Sequence, residues 1–187
     1  MKKYLLPSLK LTAVFIVICA VIYPLFIAAV AKLAPGGGKG ETLMVNGKVV
    51  GYANIGQKFT EDKYFWGRPS AAAYNAAASS GSNKGPGNTD YLKDIQSKID
   101  SFLVHNPTVK KEEIPSDLVT YSGSGLDPDI SVQAAKIQVA RIAKVRNLSA
   151  DKILDLVAKN TQKPLLNLFG PEKINVLKLN IQLDQLK

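Results

Sequence analysis

The sequence has one histidine and one cysteine in 187 residues, and each scarcity excludes a kind of chemistry. A lone histidine, His105, rules out a multi-histidine metal centre. The only cysteine, Cys19, lies inside an apolar run, so there is no intramolecular disulfide, no cysteine-based metal cluster and no Cys–His pair. The core must hold by packing alone. No G-x-S-x-G occurs. The run Ser122-Gly123-Ser124-Gly125 falls on an expected loop, so a hydrolase built on Ser124 and His105 has no nucleophile motif behind it. No G-x-x-x-x-G-K-[ST] occurs either, because the glycine-rich stretches 36–40 and 81–87 lack its Lys-Ser/Thr ending and a preceding apolar strand. Dense basic runs interleaved with aromatics are also missing, which argues against a nucleic-acid partner. Asp127 and Asp129 have the chemistry to hold a hard cation, but cap preference favours a helix start beside Ser131. The residues therefore predict no catalytic group and no metal ligand, and they assign no cofactor-binding residue.

What is present begins with residues 11–31, an apolar run without a charged side chain, bounded by Lys10 and Lys32. At about 1.5 Å rise per residue it reaches roughly 30 Å as a helix, the thickness of a hydrocarbon core. Lys2, Lys3 and Lys10 precede it without an acid, which predicts a cytoplasmic tail over 1–10 and an outer location for everything after the span, Lys187 included. Pro24 lacks an N–H and is expected to kink the helix. Ala29-Val30-Ala31 resembles a signal-peptidase site, but signal h-regions run only about 7–15 residues, which favours a retained anchor. Cys19 is not a lipidation site, because bulky Ile18 precedes it in mid-run.

Residues 32–40, rich in glycine, read as a flexible linker, and residues 41–187 as one extracytoplasmic domain of mildly basic balance. The predicted class is α+β, with a small sheet and about three helices. Asn46-Gly47 between Thr42–Val45 and Lys48–Tyr52 predicts a type I′ hairpin, with Ile55–Phe59 continuing the sheet. Residues 60–89 have no period, yet their aromatic cluster argues for order. Asn88 or Thr89 caps a helix to about Val104 whose apolar side holds Tyr91, Leu92, Ile95, Ile99 and Phe102. His105 reads as a helix-end residue, where a cation is favoured. Ile114–Thr120 reads as extended. A second helix is expected over Ser131–Arg146, with Lys136, Arg141 and Lys144 together on its exposed side, and a third from Ser149. Ile174–Asp184 alternates, which predicts a half-buried strand with Leu177, Leu179, Ile181 and Leu183 inward and Lys178, Asn180, Gln182 and Asp184 outward.

The loops carry a resemblance. Tyr64-Phe65-Trp66-Gly67-Arg68-Pro69-Ser70-Ala71 and Gly81-Ser82-Asn83-Lys84-Gly85-Pro86 resemble the "fxGRPSA" and "GSNxGP" segments of the KdpC family, the small anchored subunit of bacterial Kdp potassium-transporting P-type ATPases. Ile114 to Ser131 is similar to that family's longest motif, with Ser122-Gly123-Ser124-Gly125-Leu126-Asp127-Pro128 at its centre, and continues through Ala134-Ala135 and Gln138-Val139-Ala140-Arg141. Asn175–Asn180 looks like the family's closing strand. Trp66 stands where histidine is common, and Tyr121 and Asp129 where alanine and histidine are common.

The resemblance implies an accessory subunit of a high-affinity, ATP-driven potassium importer in the bacterial cell membrane. Its implied partners are a channel-like potassium-binding subunit, a P-type ATP-hydrolysing subunit and membrane lipid. ATP and potassium are then handled by the complex, with the chain as a catalytic chaperone that promotes ATP binding or as an external element at the potassium entrance. A purely structural clamp and, more remotely, an anchored surface hydrolase are the alternatives. The motif residues above, Trp66, Arg68 and Asn83 foremost, are expected to order the 60–89 segment and to meet a partner subunit or the domain's own core.

Overall fold

The apolar run forms a helix in the computed structural model, which describes residues 2–186; Met1 of the predicted tail and Lys187 of the predicted domain end lie outside the described residues. Helix α1 spans Lys2–Val17, a π-helical turn covers Ile18–Ile22 and α2 spans Tyr23–Ala31. Together, residues Lys3–Ala31 make the one helix among the described residues that is long and apolar enough to cross a membrane, with mean hydropathy 2.8 over an 18-residue stretch of it. The helix starts well before the apolar run, so the predicted tail is itself helical. Pro24 has no N–H to return to residue 20, and the widened turn that accommodates it is the π segment just before it. Residues 33–40 fold into turns, with Gly36, Gly37, Gly38 and Gly40 at positive φ. The chain divides into two compact units, Met1–Thr42 and Leu43–Lys187.

Strands β1 (Thr42–Val45) and β2 (Lys48–Tyr52) pair across Asn46 and Gly47, whose φ values of 51° and 78° suit the predicted turn. Ile55–Phe59 does not extend this sheet: residues 53–88 contain no helix or strand. Helix α3 (Thr89–His105) is capped by Asn88, whose side chain accepts from Tyr91 N at 2.9 Å. Phe102 is its buried residue, with Ile95 and Ile99 packed on the core; Leu92 points to solvent. Ile114–Thr120 is not extended throughout, because Ser116–Leu118 forms a 3₁₀ turn.

Five α-helices stand among the described residues of the second unit where about three were expected. The predicted second helix is two, α4 (Val132–Lys136) and α5 (Val139–Arg146). Gln138 causes the break. Its side-chain Nε2 donates to Ala134 O at 3.0 Å, occupying the carbonyl that its own backbone N–H needs to continue the helix, and that N–H turns to Ala135 O instead. Ser131 caps α4 by accepting from Ala134 N, and Asp117 holds Ser131 in turn through its N and Oγ. Asn147, at φ 54°, ends α5 in the left-handed conformation. Helix α6 (Ala150–Asn160) packs against α4, α5 and the last helix, α7.

The alternating C-terminus is where expectation and structure part most clearly. Only β3 (Asp129–Ile130) and β4 (Ile174–Asn175) pair, antiparallel, with Asp129 opposite Asn175 and Ile130 opposite Ile174. Val176–Gln185 is a helix, α7, capped by Asn175 through Lys178 N at 3.0 Å. Its apolar residues fit both periods, and the stripe buried in the core decides between them. Val176, Leu179, Asn180 and Leu183 fall on one helical stripe and are buried, so Asn180 points into the core rather than to solvent. The core itself gathers Phe65, Ile142, Ile153, Val157, Ile174, Leu179 and Leu183.

The helix makes a sharp prediction. Asn180→Ala strands two peptide groups of Phe65 and should cost about 2–3 kcal/mol, whereas Gln182→Ala, on the same face of the predicted strand but exposed in the helix, should cost at most about 0.5 kcal/mol. Denaturant unfolding of the full chain in detergent measures both; equal, small losses would contradict the helix.

Candidate functional site: a stapled loop cluster

The irregular segment 53–88 enters the core through the peptide groups of two consecutive residues. Asn180 of α7 brackets Phe65: Phe65 N donates to its Oδ1 at 2.9 Å, and its Nδ2 donates to Phe65 O at 3.0 Å. Gln138 does the same for Trp66, with Trp66 N donating to Oε1 at 2.8 Å and Nε2 donating to Trp66 O at 3.2 Å. Both amides are buried. Each side chain thus acts as a one-residue strand partner where no strand exists.

Arg141 completes this arrangement. It was expected on an exposed helix face beside Lys136 and Lys144; those lysines are exposed, but Arg141 is buried. Its Nε donates to Asn106 Oδ1 at 3.0 Å, its Nη2 to Tyr64 O at 3.1 Å and to Gln138 Oε1 at 2.7 Å, and its Nη1 to Asp62 O. The guanidinium lies over the Trp66 ring, 4.4 Å from its centre, a cation–π contact. Burial pulls its pKa down to about 10, with Asp62 opposing, so it stays charged at neutral pH. His105, at the end of α3 as expected, pairs through Nδ1 with Asp62 at 2.8 Å and meets Trp66 edge-on. Ser124 is engaged elsewhere: its Oγ accepts from Leu126 N.

The motif residues form a second layer. Arg68 Nη1 donates to Asp127 Oδ2 at 3.0 Å, and Pro69 O accepts from Ser122 N at 3.1 Å. Ser70 Oγ donates to Gly125 O at 2.6 Å and accepts from Tyr74 N. Tyr74 OH donates to Arg68 O, closing a loop in which Ala73 and Tyr74 hold φ values of 51° and 59°, a costly conformation for residues with a Cβ. Ser79 Oγ donates to Ser124 O at 2.8 Å. A Cβ on Gly125, at φ 69°, would lie 2.7 Å from Ser80 O, and one on Gly81 would lie 2.9 Å from Gly123 O; both glycines are there for close approach. The segment around Trp66–Ser70 and the one around Ser122–Pro128 are therefore stapled together, with Pro128 O accepting from Val176 N at the head of α7.

The middle motif behaves differently. Gly81 and Ser82 are half-buried, whereas Asn83, Gly85 and Pro86 are exposed, and Asn83 sits at φ 54° as a turn residue rather than a staple. Leu126 is buried. Asp127 and Asp129 do not cap α4. Asp127 Oδ1 accepts from Asp129 N, its other oxygen holds Arg68, and Asp129 pairs with Lys173 at 2.6 Å. Sequence reasoning gave Gln138, Asn106 and Asp117 no fastening role and turned Asn180 outward, because an amide or carboxylate that binds inside the domain has the same letter as a surface one.

A cleft of about 650 Å³ opens beside this cluster, between Trp66–Ser70, Tyr74, α3 and Tyr121. Lys98 lies over the Tyr121 ring at 4.2 Å, donates to its hydroxyl at 3.0 Å and pairs with Asp94 one turn earlier. Burial works against the Lys98 charge, but Asp94 and the Tyr121 oxygen outweigh it and raise its pKa; the Lys98 hydrogen bond holds the Asp94 carboxyl below its ordinary range. Burial, helped by Asp127 and opposed by Arg68, pushes Tyr74 up to about 12.

Two outcomes follow. A double-mutant cycle on Arg68→Ala and Asp127→Ala, read by denaturant unfolding of the full chain, should give a coupling of about 1 kcal/mol; no coupling would remove the staple. Tyr74 has a folded pKa above its ordinary 10.0, so its contribution to stability is complete below pH 10 and is lost as pH rises through about 12. Absorbance titration of the phenolates should therefore show a late component that Tyr74→Phe removes, and a titration unchanged by that substitution would contradict the buried hydroxyl.

The chain matches the family described as "KdpC: K+-transporting ATPase, c chain" over residues 5–185. It is 58% identical over 185 residues to the potassium-transporting ATPase KdpC subunit of Flavobacterium johnsoniae, covering 99% of this chain and 100% of that one. The protein of the same description from Bacteroides fragilis is 50% identical over 188 residues, covering 99% and 98%. That from Caldanaerobacter subterraneus is 46% identical over 177 residues, covering 94% and 92%. The matched span takes in the apolar helix, the stapled loops and α7, and the chain belongs to the KdpC family.

Proposed function

We propose that this chain is an accessory, non-catalytic subunit of an ATP-driven potassium importer, held in the membrane by its N-terminal helix. The observation that carries this reading is the family match over residues 5–185, which joins a helix of spanning length to a domain stapled shut by its own motifs. Lys2, Lys3 and Lys10 ahead of the span favour an inside N-terminus and an outside domain. The reading takes residues 11–31 as the retained span, 32–40 as the linker and 41–187 as the outer domain.

An outside domain does not reach cytoplasmic ATP. The reading therefore assigns it assembly of the channel-like and P-type partner subunits and a role at the potassium entrance. Promotion of ATP binding would then travel through the anchor and its membrane neighbours as a coupling between sites. Trp66, Gly67, Arg68, Pro69 and Ser70, with Ser122–Pro128, hold the domain's shape for this contact, while the exposed Asn83, Gly85, Pro86, Gly123 and Ser124 are motif positions available to a partner. A structural clamp without regulation differs only in leaving both apparent affinities of the assembled pump unchanged.

Deleting the chain should abolish growth on micromolar potassium in cells that lack other importers, and the purified chain alone should hydrolyse no ATP. Lys136→Glu with Lys144→Glu, both exposed, should shift the apparent potassium affinity of the assembled pump by roughly twofold to tenfold and leave its ATP affinity alone. Arg141 is unsuitable for this test because it is buried. Specific ATP crosslinking to residues 33–187 in an intact, oriented complex would overturn the outer role.

A further inference from the structure

After α6 the chain runs out into a short hairpin. Gln162 and Lys173 pair at its base and Leu165 pairs with Phe169 above them. Leu166 and Asn167, at φ 55° and 57°, make the tight turn. Pro164 and Pro171 fix φ in the two arms. At the tip Leu165, Leu166, Leu168 and Phe169 are 70%, 75%, 78% and 64% exposed. None of the four belongs to the core or to the residues packed on it. Four large apolar side chains presented on one turn are a poor solution for a domain in water, and a patch of this kind marks a contact surface.

Shape and charge indicate what the tip meets. It is convex, a knob rather than a groove. Between residues 159 and 173 lie Lys159, Lys163 and Lys173 against a single acid, Glu172. Lys173 is engaged by Asp129, while Lys159 and Lys163 are exposed. An apolar tip below a collar of cations complements an anionic bilayer, with acyl chains for the leucines and phenylalanine and phosphates for the lysines. The same chain carries the helix of spanning length, so a lipid surface is present at high effective concentration, and a tip too small to bind a membrane alone can act as a second contact.

We propose that the 165–169 tip inserts into the anionic lipid surface of the membrane that the N-terminal helix spans. This rests on the anchored reading given above but not on the identity of the transported ion or of the partner subunits.

The test uses the full chain in nanodiscs of about one-third phosphatidylglycerol in phosphatidylcholine. Leu166→Cys in a Cys19→Ala background carries an environment-sensitive fluorophore, and spin-labelled lipid is the quencher. A label at the exposed Ala78→Cys is the reference. Co-elution of chain and disc reports the anchor separately, so failure of anchoring and failure of the tip are distinguishable. The Leu166 label should be quenched roughly threefold more than the Ala78 label. Leu168→Ser with Phe169→Ser should bring it down to the reference, while an unchanged melting profile shows that the domain is intact. Quenching no greater than the reference overturns the proposal. So does quenching that survives the double serine variant. Shielding of the label only after the other pump subunits are added would likewise overturn it, by assigning the tip to a protein partner.

Discussion

Buried peptide groups must find hydrogen-bond partners, and residues 53–88 have no helix or strand to supply them. The domain meets this constraint with two side chains. Asn180 and Gln138 each offer a donor and an acceptor in the geometry of a neighbouring strand, and they take up both polar groups of Phe65 and of Trp66. The rest depends on this. It places Phe65 in the core, sets the Trp66 ring under Arg141, and breaks α4 from α5 because Gln138 spends Ala134 O on its side chain. Removing one amide leaves two groups unsatisfied at once, which is why so short a contact has so much influence.

Arg141 shows how a charge is tolerated in such a place. Its guanidinium donates to two backbone carbonyls and two buried amides and stacks on an aromatic face, so four of its five N–H donors have fixed acceptors. Asp62 then joins Arg141 to His105 at the end of α3. One set of contacts thus ties α3, α5 and the irregular segment together. The same segment continues into the Arg68–Asp127 and Ser70–Gly125 staples, so the two longest family motifs read as parts of a single fastening. Outward-facing features include Asn83 to Pro86, Gly123 and Ser124, the exposed Lys136 and Lys144, and the apolar hairpin tip.

By itself the sequence determined the features that depend on local chemistry. Those are the apolar run with its lysine flanks, the Asn46-Gly47 turn, the Asn88 cap, the helix-end place of His105 and the motifs that carry the family. Each is written within a few neighbouring residues. Only the tertiary structure decided whether residues 176–185 were strand or helix, because Leu177, Leu179, Ile181 and Leu183 satisfy a period of 2 while Val176, Leu179 and Leu183 satisfy one of 3.6; the core stripe that α7 buries settled it. Only the tertiary structure turned Asn180 and Arg141 inward. Their side chains are polar, and a polar letter signals solvent until an unpaired backbone group or an aromatic face from a distant part of the chain gives it a reason to be buried.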